Sequence, residues 1–154
     1  MADSILVRPA NPRDLKVLVE FNSAMALETE GKNLDPDALH AGVAAVLEDG
    51  LKGFYLVAEC RGNPVGQLLV TSEWSDWRNA YFWWIQSVYV IPEHRRRGVY
   101  RALDQQVRAQ ARLRGNVCGV RLYVDRRNHG AQKVYSSLGM CPSQYDMYEV
   151  EISE

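Results

Sequence analysis

The run Tyr81-Phe82-Trp83-Trp84-Ile85-Gln86-Ser87-Val88-Tyr89-Val90 is apolar on both alternating faces. Counted at a period of two, Tyr81, Trp83, Ile85 and Tyr89 share one face, and Phe82, Trp84, Val88 and Val90 share the other. A strand that must hide both faces belongs in the middle of a sheet with packed layers above and below. The chain has 154 residues, enough for one domain with a real core and too few for two ordinary ones. A single domain over residues 1–154 is therefore expected.

The flanking segments supply the layers. Ile5-Leu6-Val7 reads as a first strand closed by Pro9. Asn11-Pro12-Arg13-Asp14 has the cap, the proline and the first-turn acid of a helix start, and the apolar spacing carries that helix to about Leu27. Glu28 to Lys32 then reads as a polar loop, and Asp35-Pro36-Asp37 opens a second helix that Gly50 ends. Gly53 to Cys60 and Val65 to Glu73 form a hairpin across Arg61-Gly62-Asn63 and lead to the central strand. Gly98 to Arg114 is a helix, Cys118 to Asp125 a strand, Asn128 to Leu138 a helix, and Tyr145 to Ile152 a last strand. The fold class is mixed α/β: a mostly antiparallel central sheet, one right-handed β-α-β crossover, and helices on both faces.

Charge narrows the function. Eighteen Lys+Arg against 19 Asp+Glu leave no basic excess, so no nucleic-acid partner is expected. No apolar run is long enough to cross a bilayer, and the N-terminus lacks a basic region followed by a long apolar run. No membrane partner and a cytoplasmic location are the expectation. Cys60, Cys118 and Cys141 read as buried thiols of a reducing compartment, and neither they nor the three histidines have metal-ligand spacing, so no metal is expected. All four tryptophans lie between Trp74 and Trp84, and most should be core, although Trp77 sits in a turn.

The central strand ends at Pro92 and runs through Arg95-Arg96-Arg97-Gly98 into a helix. A helix start offers unpaired N–H groups and partial positive charge, and a glycine there lets an anion approach closely. A pyrophosphate suits such a turn; a solvated bend is the competing reading. The GxxxxGK[ST] and GxGxxG patterns are both absent, which argues against a nucleotide cradle.

The stretch Val88-Tyr89-Val90, Pro92, Arg95-Arg96-Arg97-Gly98-Val99-Tyr100 resembles motif A of the GNAT superfamily of acetyl-coenzyme A-dependent N-acetyltransferases, with Tyr100 in place of a small residue. Asn128 to Met140 resembles the family's motif B. The resemblance spans about residues 52 to 142 and is topological over the first fifty. It implies a GNAT-like fold, acetyl-coenzyme A as co-substrate, and transfer to a primary amine by direct attack in a ternary complex. The amine acceptor would be a small molecule or a protein. It further implies that backbone N–H groups of Arg97, Gly98, Tyr100 and Arg101 take the pyrophosphate, in the turn that Arg95, Arg96 and Val99 complete. Val88, Tyr89 and Val90 would carry the pantetheine arm, and Asn128 would be a cofactor contact, a helix cap, or both.

Acyl transfer also needs a proton for the departing thiolate and a base for the amine. Tyr135 is the candidate acid, since a phenol of pKa ~10 is protonated at neutral pH; a core aromatic is the other reading of a helical tyrosine. Glu28 and Glu30 are candidate bases, with Glu73 a third, and any of them could be merely solvated. A non-catalytic acyl-coenzyme A sensor and a phosphopeptide or nucleotide binder are the rivals. The sequence leaves the oligomeric state open, a homodimer being the commonest assembly for such a chain.

Overall fold

The computed structural model describes residues 3–153, in two compact units that divide after Tyr123. In the first unit five strands form one sheet in chain order: β1 (Ile5–Pro9), β2 (Phe54–Cys60), β3 (Asn63–Ser75), β4 (Ala80–Val90) and β5 (Val117–Arg121). Pairs β1 to β4 are antiparallel, while β4 and β5 are parallel and joined through helix α3 (Val99–Arg114). Helices α1 (Leu15–Glu30) and α2 (Pro36–Glu48) precede β2. The mixed α/β class and the crossover agree with the sequence reading.

The β2–β3 hairpin turns on Arg61 and Gly62, both at positive φ, the conformation a two-residue loop needs to match strand twist. On one face of the sheet Leu56, Leu68, Val70, Trp83 and Ile85 pack with Val99, Leu103, Val107 and Ala111 of α3. On the other, Tyr55 and Val57 pack with Leu18 of α1 and Val43 of α2. The central sheet is thus covered on both sides, as the two-faced apolar strand requires. Arg8 ties β1 to the start of α1, bridging the buried Asp14 at 2.8 Å and Glu59 at 2.8 Å. The guanidinium holds the Asp14 carboxyl below its usual range.

Strand β4 departs from simple alternation. Gln67 faces Tyr89 and Leu69 faces Gln86, so Ser87 and Val88 together oppose Leu68. This is a β-bulge, with Ser87 at φ 52°. One extra residue swaps the faces beyond it. Val88 and Val90 join Trp83 and Ile85 on the α3 side, and Tyr89 turns towards α1, where its ring lies 5.3 Å from Phe21. The strict period-two face assignment is corrected accordingly for Val88, Tyr89 and Val90.

Other expectations also change. Helix α1 does not stop at Leu27 but runs to Glu30, because its terminator is Gly31 in the left-handed conformation. There the amides of Gly31 and Lys32 close on Leu27 and Ala26 carbonyls. Glu28 and Glu30 are therefore helical. Cys60 is buried, but Cys118 and Cys141 are exposed, since the former lies on the outermost strand. Of the tryptophans only Trp83 is buried; Trp77 is 91% exposed at the tip of the β3–β4 hairpin.

In the second unit Asn128 caps α4 (His129–Ser137), its side-chain oxygen accepting from the Ala131 amide at 3.1 Å, and Gly139 ends the turn at φ 87°. Tyr145–Ile152, expected as a last strand from its alternation, is not assigned as a strand. No helix among the described residues is long and apolar enough to cross a membrane.

Leu103 is fully buried under the sheet. Leu103→Ala should cost about 2–5 kcal/mol, measured by urea unfolding with an unchanged slope.

Candidate active site

Strands β4 and β5 stay together only from Tyr81↔Val117 to Trp84↔Arg121. Beyond Trp84, β4 continues through its bulge to Val90, paired among the described residues of the first unit with β3. A bulge bends and twists the strand that carries it, which accounts for the parting. The backbone from Ile85 to Val90 therefore presents an unladdered edge on the side that β5 has left. Gln67 braces this stretch from beneath. Its fully buried side chain donates from Nε2 to the Ser87 carbonyl at 3.0 Å, holding the positive-φ residue in place.

The edge leads directly to the head of α3. A short 3-10 turn, Pro92–His94, is followed by Arg96 at φ 61° and Gly98 at φ 80°, two left-handed residues separated by one. Such alternation turns successive N–H groups to one side. Gly98 is the N-cap of α3 and, having no side chain, makes no side-chain cap hydrogen bond. A Cβ built on Gly98 meets nothing within 4 Å, so glycine is needed there for its backbone conformation and not for want of space. Helix dipole and Arg96 and Arg97, both exposed, give the turn its positive character.

Arg95 behaves differently from its two neighbours. Its guanidinium grips both carboxylate oxygens of Glu28, with Nη2 at 2.8 Å from Oε2, while Nε donates to the Val90 carbonyl at 2.9 Å. It also lies over the Tyr89 ring, 5.7 Å from its centroid. The hydrogen bonds from Arg95 hold the Glu28 carboxyl below its ordinary range. The last turn of α1 is thereby fastened to the end of β4. Glu30 instead meets Lys32 at 3.3 Å. Glu73, on β3, accepts from the Trp84 indole at 3.0 Å and from Arg121 at 3.1 Å.

In the first unit Glu28, Tyr89 and Val90 meet at Arg95, three residues before Gly98 at the head of α3. Asn128 and Tyr135 belong to the second unit. Burial pushes the half-buried Tyr135 phenol above its ordinary pKa, so it is protonated at neutral pH. Sequence reasoning missed the bulge and Gln67. The available signal was a lone glutamine inside the apolar run Val65 to Val70.

The chain matches the family model described as the Acetyltransferase (GNAT) family over residues 21–140. Among solved structures it is similar to a possible acetyltransferase from Clostridium difficile 630, at 44% identity, covering 97% of this chain and 99% of that one, with a TM-score of 0.91. Two others share the fold. A predicted acetyltransferase with acetyl-CoA from Clostridium acetobutylicum has 18% identity, 96% coverage of both chains and a TM-score of 0.78. A ribosomal-protein-alanine N-acetyltransferase from Brucella melitensis biovar Abortus 2308 has 17% identity, coverage of 97% and 100%, and a TM-score of 0.79. No curated protein sequence matches the chain. The chain belongs to the GNAT family of acetyltransferases and is an acyltransferase.

The Arg95–Glu28 contact gives a direct check. Arg95→Ala should let the Glu28 carboxyl titrate nearer its ordinary value of 4.5, followed by carbon-detected NMR; an unmoved titration would mean that the pair does not form in solution.

Proposed function

We propose that the chain transfers the acetyl group of acetyl-coenzyme A to a primary amine on a small molecule or a protein, by direct attack in a ternary complex. The observation that carries this reading is the unladdered edge of β4 leading into the uncapped start of α3. An extended amide-bearing tether matches a strand edge, because both offer alternating N–H and C=O groups. A pyrophosphate matches the positive turn beyond it. In this reading the backbones of Val88 and Val90 hold the tether and the amides of Arg97, Gly98, Tyr100 and Arg101 take the phosphates. An N–H group near Val88 stabilises the charge that grows on the thioester oxygen, at no cost in reorganisation.

Tyr135 is the proposed proton donor to the departing thiolate, supported by its raised pKa and its place in the second motif. Asn128 caps its helix with its side-chain oxygen, a role compatible with a cofactor contact through the amide nitrogen. The acidic candidates divide. Glu28 is a weak proton acceptor while Arg95 holds its pKa down, and its part is to position the end of α1. Glu30, in the same helical turn, stays a second candidate base. A cytoplasmic setting belongs to the same reading and is supported by three free thiols.

The test joins calorimetry with acetyl-coenzyme A to a thiol-release assay on a panel of amines. Tyr135→Phe should lower kcat by on the order of 100-fold while leaving the Kd for acetyl-coenzyme A within about two-fold. Unchanged turnover would remove Tyr135 from the chemistry. Binding without turnover on any amine would make the chain an acyl-coenzyme A sensor.

A further inference from the structure

We infer, resting on the function proposed above, that Gln67 is a positioning residue for acetyl transfer. By gripping the Ser87 carbonyl it aims the Val88 N–H at the thioester oxygen and makes that N–H a stronger donor. Gln67 is a fully buried amide inside an apolar stretch of β3, opposite Val57 of β2 and Tyr89 of β4. Such a position is ordinarily apolar. Its Nε2 donates to the Ser87 carbonyl at 3.0 Å, while its Oε1 has no hydrogen-bond partner among the described residues. Turning the amide round does not relieve this, because the Ser87 oxygen can only accept and the nitrogen must face it. An orphaned buried oxygen is destabilising, so packing alone gives no reason for an amide here.

The bulge supplies the reason. An inserted residue drops out of the ladder, and Ser87 lies in the gap between the Leu69↔Gln86 and Gln67↔Tyr89 pairs. The Gln67 side chain stands in for the missing ladder donor. Serine rarely holds a φ of 52° unaided, so the same bond keeps the bulge in its observed form. A peptide group is planar and trans, so the Ser87 C=O and the Val88 N–H point in opposite directions from one rigid unit. Fixing the oxygen therefore fixes the line of the N–H. A hydrogen bond at a carbonyl also polarises the amide, and the N–H at its far end donates more strongly. Charge builds on the thioester oxygen only as the amine attacks, so a preset donor acts on turnover more than on cofactor affinity.

Difference infrared spectroscopy of acetyl-coenzyme A, carbon-13 labelled at the thioester carbonyl, reads this donor directly and needs no acceptor. Binding to the unaltered chain should move the carbonyl band to lower frequency. Gln67→Met should remove most of that movement and lower kcat by on the order of 10-fold, less than outright loss of an oxyanion donor. The Kd for acetyl-coenzyme A should stay within about two-fold. One orphaned carbonyl replaces another in this variant, so its urea midpoint should stay near that of the unaltered chain. Gln67→Glu adds a readout that a packing role would not move. Protonated, its carboxyl donates to the Ser87 oxygen; ionised, it repels it. The band movement in this variant should be present at low pH and fade as pH rises. A Gln67→Met chain that keeps the band movement and kcat overturns the inference and leaves the proposed function standing, as does a Gln67→Glu band indifferent to pH. Equal losses of kcat and cofactor affinity, or a lowered urea midpoint as the only change, would make Gln67 a packing residue and equally overturn it. A band that does not move on binding to the unaltered chain would overturn the functional reading itself, and this inference with it.

Discussion

Strand β4 must pair antiparallel with β3 along its whole length and parallel with β5 along only part of it, and the bulge at Ser87 is where these demands separate. Parallel and antiparallel ladders space their hydrogen bonds differently, and a strand that bends at a bulge cannot keep both neighbours. The β5 ladder is lost at Trp84, three residues before Ser87. From there the backbone that would have bonded β5 is available to another extended group. The buried Gln67 anchors the departure, and α3 begins where the departing strand ends. A strand edge and a helix head are thus brought into sequence by one inserted residue.

Much of this was legible in the chain and some was not, for physical reasons. The burial of β4 on both sides could be read because apolar side chains on alternate positions have no other use. The turn at Gly98 could be read because helix starts advertise themselves through local chemistry. The bulge could not. Ser87 and Val88 are ordinary strand residues, and which of them is supernumerary depends on the register with β3, set by residues twenty positions away. Counting by two across it put Tyr89 on the wrong face. The end of α1 was misplaced by three residues for a simpler reason: Glu28, Thr29 and Glu30 are polar yet compatible with helix, and only Gly31 stops it.

Tyr145–Ile152 illustrates the other limit. Alternation encodes a preference for strand, but a strand exists only when a partner answers its hydrogen bonds, and sequence carries no local mark of the partner. The same reasoning explains the thiols. Cys118 has the composition of a core position, and its exposure follows from β5 being last in the sheet, a property of topology and not of the residues around it.

Arg95 has a consequence for how the head of α3 meets a polyanion. Its charge is cancelled by Glu28, so the outward field there comes from Arg96, Arg97 and the dipole of α3. That field acts over a Debye length, so added salt weakens its pull on any approaching anion. The Arg95 fork, meanwhile, fastens the end of α1 to the β4 terminus. Field and fastening are thereby divided among adjacent arginines: Arg96 and Arg97 project charge outward, while Arg95 spends its charge on Glu28.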